Sequence, residues 1–85
     1  MITSPIIDID VHKMTVQEAV EAIQKKVDQA GPSVYKIRVI HGYHGGTRIR
    51  SAVREEFSYG REPKVKRIAA GDNEGITELI LKELF

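Results

Sequence analysis

Two histidines and a carboxylate could supply acid–base chemistry in this 85-residue chain. Asp10 and His12 close one segment of alternating apolar residues, and His41 closes a second, β-branched segment. Imidazole titrates near neutral pH, and a carboxylate two residues away can orient it. The residues predicted to be catalytic are therefore Asp10, His12 and His41. A bland reading stays open, in which each His caps backbone groups at a strand end and Asp10 faces solvent.

The glycine-rich segment after His41 indicates an anion site. Its glycines let the backbone approach a ligand closely, and the helix that follows presents unpaired N–H groups. Arg48 and Arg50 fall in the first turn of that helix, where a cation costs about 0.3–1 kcal/mol unless an anion is bound. The segment is neither a Walker A nor a G-x-G-x-x-G motif, which argues against nucleoside triphosphates. The residues predicted to hold phosphate or an adjacent base are Gly42, Tyr43, His44, Gly45, Gly46, Thr47, Arg48, Arg50 and Arg54.

Charge is segregated along the chain, although the net charge is only +1. Residues 1–35 carry three Lys against five Asp and Glu, a balance of −2. Residues 36–67 carry nine Lys and Arg against three Glu (+6), and residues 68–85 carry one Lys against four acids (−3). A basic middle third suits a phosphate backbone, although Lys and Arg are also ordinary surface residues.

Several classes of protein are disfavoured by composition. The chain has no cysteine, which removes disulfides and thiolate metal sites. Asp10, His12, His41 and His44 could ligate a metal, but no H-x-x-x-H spacing is present, so no metal ligands are assigned. No apolar run is long enough to span a membrane, and the N-terminus lacks a secretory signal. We therefore expect one cytoplasmic domain over residues 1–85, without a membrane partner.

The hydrophobic periodicity predicts the element order β-α-β-α-β-β. Thr15 and Glu18 have the spacing of a capping box before an amphipathic helix, and Gly31-Pro32 ends that helix. Thr47 is the expected cap of the second helix. Strands are predicted over residues 6–12, 34–40, 65–70 and 76–84, and the last of these segments would also suit a short helix.

This order predicts a two-layer α/β sandwich with two helices and one four-stranded mixed sheet. Strands joined through helices should run parallel with right-handed crossovers. The five-residue turn over residues 71–75 predicts that the last two strands form an antiparallel hairpin. Because the carboxyl ends of parallel strands meet at one end of a sheet, we expect Asp10, His12 and His41 to converge there.

Three motifs resemble those of Smr (small MutS-related) domains. Residues 8–12 (DIDVH) and 14–19 (MTVQEA) are similar to the L-D-L-H…M-T-x-x-E-A opening of that family. Residues 39–42 (VIHG), with Gly46 and Arg50, are similar to its H-G-x-G-x-G…R loop. Residues 69–79 are similar to its closing A…G-x-T-x-V-x-L strand, so the resemblance covers residues 6–84.

The resemblance implies a fold similar to the C-terminal domain of bacterial translation initiation factor three. It also implies nucleic-acid binding, with endonuclease or nicking activity in many members. Asp10, His12, His41, Gly42 and Arg50 match family positions. Tyr43 and His44 depart from the pattern, since they stand where the family has Lys or Arg and Gly, in a loop one residue longer.

The leading hypothesis is a DNA- or RNA-binding domain that cleaves phosphodiester bonds with the assistance of Mg²⁺ or Mn²⁺. Asp10 and His12 would activate water, His41 would act as acid or base, and the glycine loop and arginines would hold phosphate. A non-catalytic nucleic-acid-binding module and a protein-interaction domain with a basic face are the alternatives. A weak homodimer is a further expectation.

Overall fold

The computed structural model describes residues 5–42, 46–58 and 61–82, and it confirms the predicted element order. Tyr43, His44 and Gly45 lie outside the described residues. The first strand ends at Asp10 rather than at His12, so His12 lies just beyond it. The second strand begins two residues later than expected but ends at Ile40 as predicted, directly before His41. The elements are β1 (Ile6–Asp10), α1 (Val16–Gln29), β2 (Lys36–Ile40), α2 (Gly46–Phe57), β3 (Arg67–Ala70) and β4 (Ile76–Ile80).

The four strands form one mixed sheet in the order β1-β2-β4-β3. β1 and β2 are parallel, and β4 runs antiparallel to both β2 and β3. The parallel first pair and the β3–β4 hairpin are therefore as predicted. β2 and β3 also run in the same direction, but β4 lies between them. β3 begins two residues later than predicted, and β4 ends at Ile80 rather than at residue 84. The alternative short helix is not formed over residues 79–82, and residues 83 and 84 lie outside the described residues.

Both helices cover one face of the sheet. Alternate strand residues such as Ile9, Val39 and Leu79 point into this layer and are buried. Ala19, Ile23 and Val27 of α1 and Ile49, Val53 and Phe57 of α2 meet them in one hydrophobic core. The opposite face of the sheet, which we call the open face, carries charged side chains that include Asp8, Arg38 and Glu78.

The capping box predicted for α1 is present. The Glu18 N–H donates to Thr15 Oγ1 at 3.1 Å, and the Thr15 N–H donates to Glu18 Oε1 at 2.9 Å. The cap predicted for α2 is wrong, because α2 begins at Gly46 and Thr47 lies inside its first turn. The preference of Thr for cap positions does not fix a boundary to within one or two residues.

Neither α1 nor α2, nor any other helix within the described ranges, has the length and apolar character needed to cross a membrane.

Candidate functional site

The ends of β1 and β2 meet at one end of the sheet, where β4 begins; we call this the site end. Asp10 is paired with Ile40, and the Val11 N–H donates to the Ile40 carbonyl at 2.9 Å beyond the last strand pair. A Cβ built on Gly42 would lie 3.4 Å from the Cβ of His12. Asp10, His12 and the His41–Gly42 turn are thus brought together, as the shared strand ends led us to expect.

Asp10 and His12 form a hydrogen-bonded pair at the site end. Nδ1 of His12 donates to Oδ1 of Asp10, and the His12 backbone N–H donates to the same oxygen at 3.1 Å. These bonds lower the pKa of Asp10 below its ordinary value, so the carboxylate is ionised at neutral pH. The side chains are 54% and 47% exposed, respectively.

The pairing leaves one nitrogen of His12 for chemistry. With Nδ1 as the donor to Asp10, the neutral ring has its lone pair on Nε2. No described residue donates to or accepts from Nε2. A half-exposed imidazole whose tautomer is set by a carboxylate has the arrangement of a general base.

His41 has a different environment, because its ring is only 1% exposed. Nδ1 lies 3.2 Å from the carbonyl oxygen of Gly42, which only accepts, so Nδ1 carries the proton. Nε2 then accepts from Oγ1 of Thr77 at 2.9 Å. Both ring nitrogens are therefore occupied by the protein.

The surroundings of His41 favour its neutral form. Burial lowers its pKa most, and the positive charges of Arg50 and Arg54 lower it further, while the bond to the Gly42 carbonyl acts in the opposite direction. The acid–base role predicted for His41 stays a prediction. The hydrogen bonds favour a positioning role, since the ring holds the Gly42 carbonyl and joins the end of β2 to β4.

Glycines at two turns allow the close packing at the site end. Gly42 has φ +81°, a left-handed conformation that glycine adopts without steric cost. The N–H groups of His41 and Gly42 donate to the Gly75 carbonyl at 2.9 and 3.0 Å. A Cβ on Gly75 would lie 3.3 Å from Gly42 Cα, so the β3–β4 turn buttresses the loop after β2.

Sequence reasoning missed Thr77 as a residue that supports the site. A signal was present, because alternation in β4 puts Thr77 on the same inward side as Leu79. A hydroxyl at an inward position requires a hydrogen-bond partner. Only the fold identifies that partner as His41, which is 36 residues away.

The arginines of α2 supply positive charge beside this loop. Arg50 and Arg54 are four residues apart and so share a helix face, and both are close enough to lower the pKa of His41. Arg48 is exposed two residues nearer the start of α2 than Arg50. Within the described ranges, none of the three forms an ion pair with a carboxylate. Gly46 and Thr47 belong to the first turn of α2, whose N–H groups lack helical acceptors.

The described residues do not fit a metal centre. They include no group of three or more His, Asp or Glu side chains that could hold an ion. Asp10 and His12 bond to each other, and both nitrogens of His41 are occupied. His44, a potential ligand in the sequence, lies outside the described residues. The requirement for Mg²⁺ or Mn²⁺ therefore stays a prediction.

Comparison with known proteins agrees with this architecture. The family model of the Smr domain matches residues 9–78. Among solved structures, the crystal structure of the Smr domain of Thermus thermophilus MutS2 superposes with a TM-score of 0.77 at 26% sequence identity. The match covers 91% of this chain and 99% of that one. The search of curated proteins found no match.

Proposed function

The chain belongs to the Smr domain family, and on that premise we propose that it binds DNA or RNA at the site end and cleaves a phosphodiester bond there. The family is known for nucleic-acid binding and nicking. The observation that carries the proposal is the half-exposed Asp10–His12 pair at the site end. The Gly42 turn adjoins His12, and Arg50 and Arg54 lie close enough to the neighbouring His41 to lower its pKa. A base and a phosphate-binding surface at one place are the minimum that cleavage requires.

His12 acts as the general base. Its Nε2 takes the proton from the attacking oxygen, which is a water or, in RNA, the adjacent 2′-hydroxyl. A new P–O bond forms as the bond to the leaving sugar oxygen breaks, and solvent protonates that oxygen. Asp10 keeps Nδ1 protonated, orients the ring and stabilises the imidazolium that forms.

Arg50, Arg54 and the first turn of α2 hold the phosphate. Negative charge on its non-bridging oxygens is stabilised by guanidinium groups and by N–H groups at a helix start. His41 and Thr77 position the Gly42 turn beneath this surface without contacting the reacting atoms.

A non-catalytic binding module is the second candidate. The burial of His41 favours it, because the site end then presents a single histidine among the described residues rather than an acid and a base. In that case the same arginines bind phosphate, and the Asp10–His12 pair contributes only a hydrogen bond to the nucleic acid.

The test compares nicking of supercoiled plasmid and cleavage of single-stranded RNA by wild type, His12→Ala and Asp10→Asn. We expect His12→Ala to lower the rate by about 10²–10⁴-fold, because the general base is lost. Asp10→Asn should lower it by at least about tenfold, since an amide no longer favours the productive tautomer. Asp28→Asn is the matched control, because Asp28 is exposed near the end of α1.

Each reaction is run in EDTA, Mg²⁺ and Mn²⁺, and binding is followed by gel shift. Full activity of His12→Ala would contradict the proposed mechanism. Binding by wild type without cleavage in any condition would establish the binding module instead.

A further inference from the structure

An open groove of about 550 Å³ separates α2 from β3 on the helical side of the sheet. Arg54 and Arg61 contribute to its polar wall, and Ile68, Ala69 and Ala70 form its strand side. β3 lies at the edge of the sheet, with β4 as its only partner among the described strands. Of the residues assigned to the site end, only Arg54 also lines this α2–β3 groove.

We propose that the α2–β3 groove receives one unpaired strand of nucleic acid flanking the bound phosphate. A neighbouring phosphate is held by Arg61 and by Arg54, which also contacts the phosphate at the site end. The inference rests on the proposed function, since it extends the path of the same polynucleotide. It specifies the substrate as a nucleic acid with a single-stranded segment next to the cleavage position.

The groove is continuous with the site end. Ala70, at one end of the groove, is paired in register with Thr77 of β4. Thr77 in turn bonds His41 at 2.9 Å. Arg54 lines the groove and its charge also reaches His41. A strand whose phosphate lies at the start of α2 therefore has a direct path past Arg54 into the groove.

The charge of the groove suits phosphate. Among the described residues, neither Arg54 nor Arg61 forms an ion pair, although Glu55 also lines the groove. Two cations against one carboxylate leave a net positive wall.

The open face gives the opposite picture. Arg38 lies within 3.0–3.7 Å of Asp8, Asp72 and Glu78, so its charge is already neutralised. A polyanion therefore gains more from the helical side of the sheet than from the open face.

The size of the groove matches a short stretch of one strand. A volume of about 550 Å³ is that of a site for a small ligand, which corresponds to roughly one or two nucleotides. Ile68 gives an apolar surface for a base or sugar, and the small side chain of Ala70, on the same side of β3, allows close approach. An extended peptide could also pair with an edge strand. The guanidiniums of Arg54 and Arg61 favour phosphate, because neither has a carboxylate partner among the described residues.

The test measures affinity by fluorescence anisotropy, in a His12→Ala background that prevents cleavage. The probes are a labelled eight-nucleotide single strand and the same sequence as a duplex. Arg61→Gln should weaken binding of the single strand about tenfold and reduce the salt slope by roughly 0.7, the loss of one phosphate contact. Glu55→Gln should strengthen binding about threefold, because it removes the only carboxylate on the described groove wall.

Lys25→Gln is the matched control, since it removes the same charge from an exposed position on α1. It should change affinity less than about twofold. Equal effects of Arg61→Gln and Lys25→Gln, or tighter binding of the duplex with the same dependence on Arg61, would overturn the inference. If the His12→Ala protein without further substitutions binds neither probe, the proposed function is overturned, and the inference with it.

Chemical-shift changes locate the ligand independently. Amides of Ile68 and Ala70 should shift on addition of the single strand. Shifts confined to residues 10–12 and the first turn of α2 would show that the groove stays empty. Shifts of the groove amides with an extended Thr/Glu peptide, and none with the oligonucleotide, would assign the groove to a protein strand and overturn the proposal.

Discussion

His12 and His41 each lie just after the end of a strand, but they differ in burial. His12 lies half exposed with a carboxylate on Nδ1 and no partner for Nε2 among the described residues, whereas His41 is enclosed with both nitrogens bonded. His12 therefore has the exposure that the proposed general base requires. His41 connects the end of β2 to β4 and sets the position of the Gly42 carbonyl.

The buried ring of His41 predicts a pH-dependent stability. Its folded pKa lies below its ordinary value of 6.5, so the unfolded chain takes up a proton at higher pH than the folded one. The stabilising contribution is thus fully present above pH 6.5 and decreases as pH falls toward the folded pKa. Asp10, whose pKa is lowered from 3.8, titrates below this window.

We therefore expect the Tm of wild type to fall more steeply between pH 6.5 and 5 than that of His41→Asn. At pH 8, the free energy of unfolding of His41→Asn should be about 1–3 kcal/mol lower than that of wild type, because Thr77 loses its acceptor. Circular dichroism melts across the pH series measure both effects. Parallel curves for the two proteins would show that His41 does not titrate on unfolding.

The loop between β2 and α2 depends on backbone conformation as much as on side chains. Gly42 combines φ +81° with an N–H donated to Gly75 and a carbonyl held by His41. A side chain here would adopt a strained conformation and would meet His12 at 3.4 Å. The conformation of Gly42 therefore determines both how the chain leaves β2 and how closely it packs against His12 of the Asp10–His12 pair.

Gly42→Ala should lower the free energy of unfolding by about 1–2 kcal/mol, the cost of a left-handed conformation for a residue with a Cβ. Gly31→Ala is the matched control, because Gly31 does not have positive φ. It should leave stability unchanged or raise it by up to about 1 kcal/mol. Urea titrations measure both variants, and equal stabilities would remove the conformational argument.

Local signals explain why some elements were predictable and others were not. The capping box and apolar stripe of α1 lie within one segment, so its start could be predicted from the sequence. The position of β4 between β2 and β3 depends on which strands it pairs with, and no local pattern in the sequence encodes that choice. The His41–Thr77 bond follows from that pairing and was therefore out of reach.

At the scale of the whole molecule, the two faces of the sheet divide the charges. On the open face, Lys36 and Arg38 are matched by carboxylates that include Glu78. On the helical side, Arg50 and Arg54 have no carboxylate partner among the described residues. The net charge of +1 conceals this division. The weak homodimer expected from the sequence stays a prediction.

The division predicts unequal effects of removing one arginine from each face. Arg50→Gln should weaken oligonucleotide binding about tenfold and reduce its salt dependence, because a phosphate contact is lost. Arg38→Gln should change affinity less than about twofold, since its charge is already neutralised. Anisotropy titrations at two salt concentrations measure both variants. A larger loss for Arg38→Gln would place the nucleic acid on the open face.

The central position of β4 has a consequence for biosynthesis. The ribosome synthesises residues 67–70 before β4, which is their only strand partner among the described residues. β3 can therefore pair into the sheet only after Ile76–Ile80 has been synthesised. Until then the backbone groups along one edge of β2 lack their β4 hydrogen-bond partners, and His41 lacks the hydrogen bond from the Thr77 hydroxyl. The nascent polypeptide therefore completes the surroundings of His41 only after β4 has been translated.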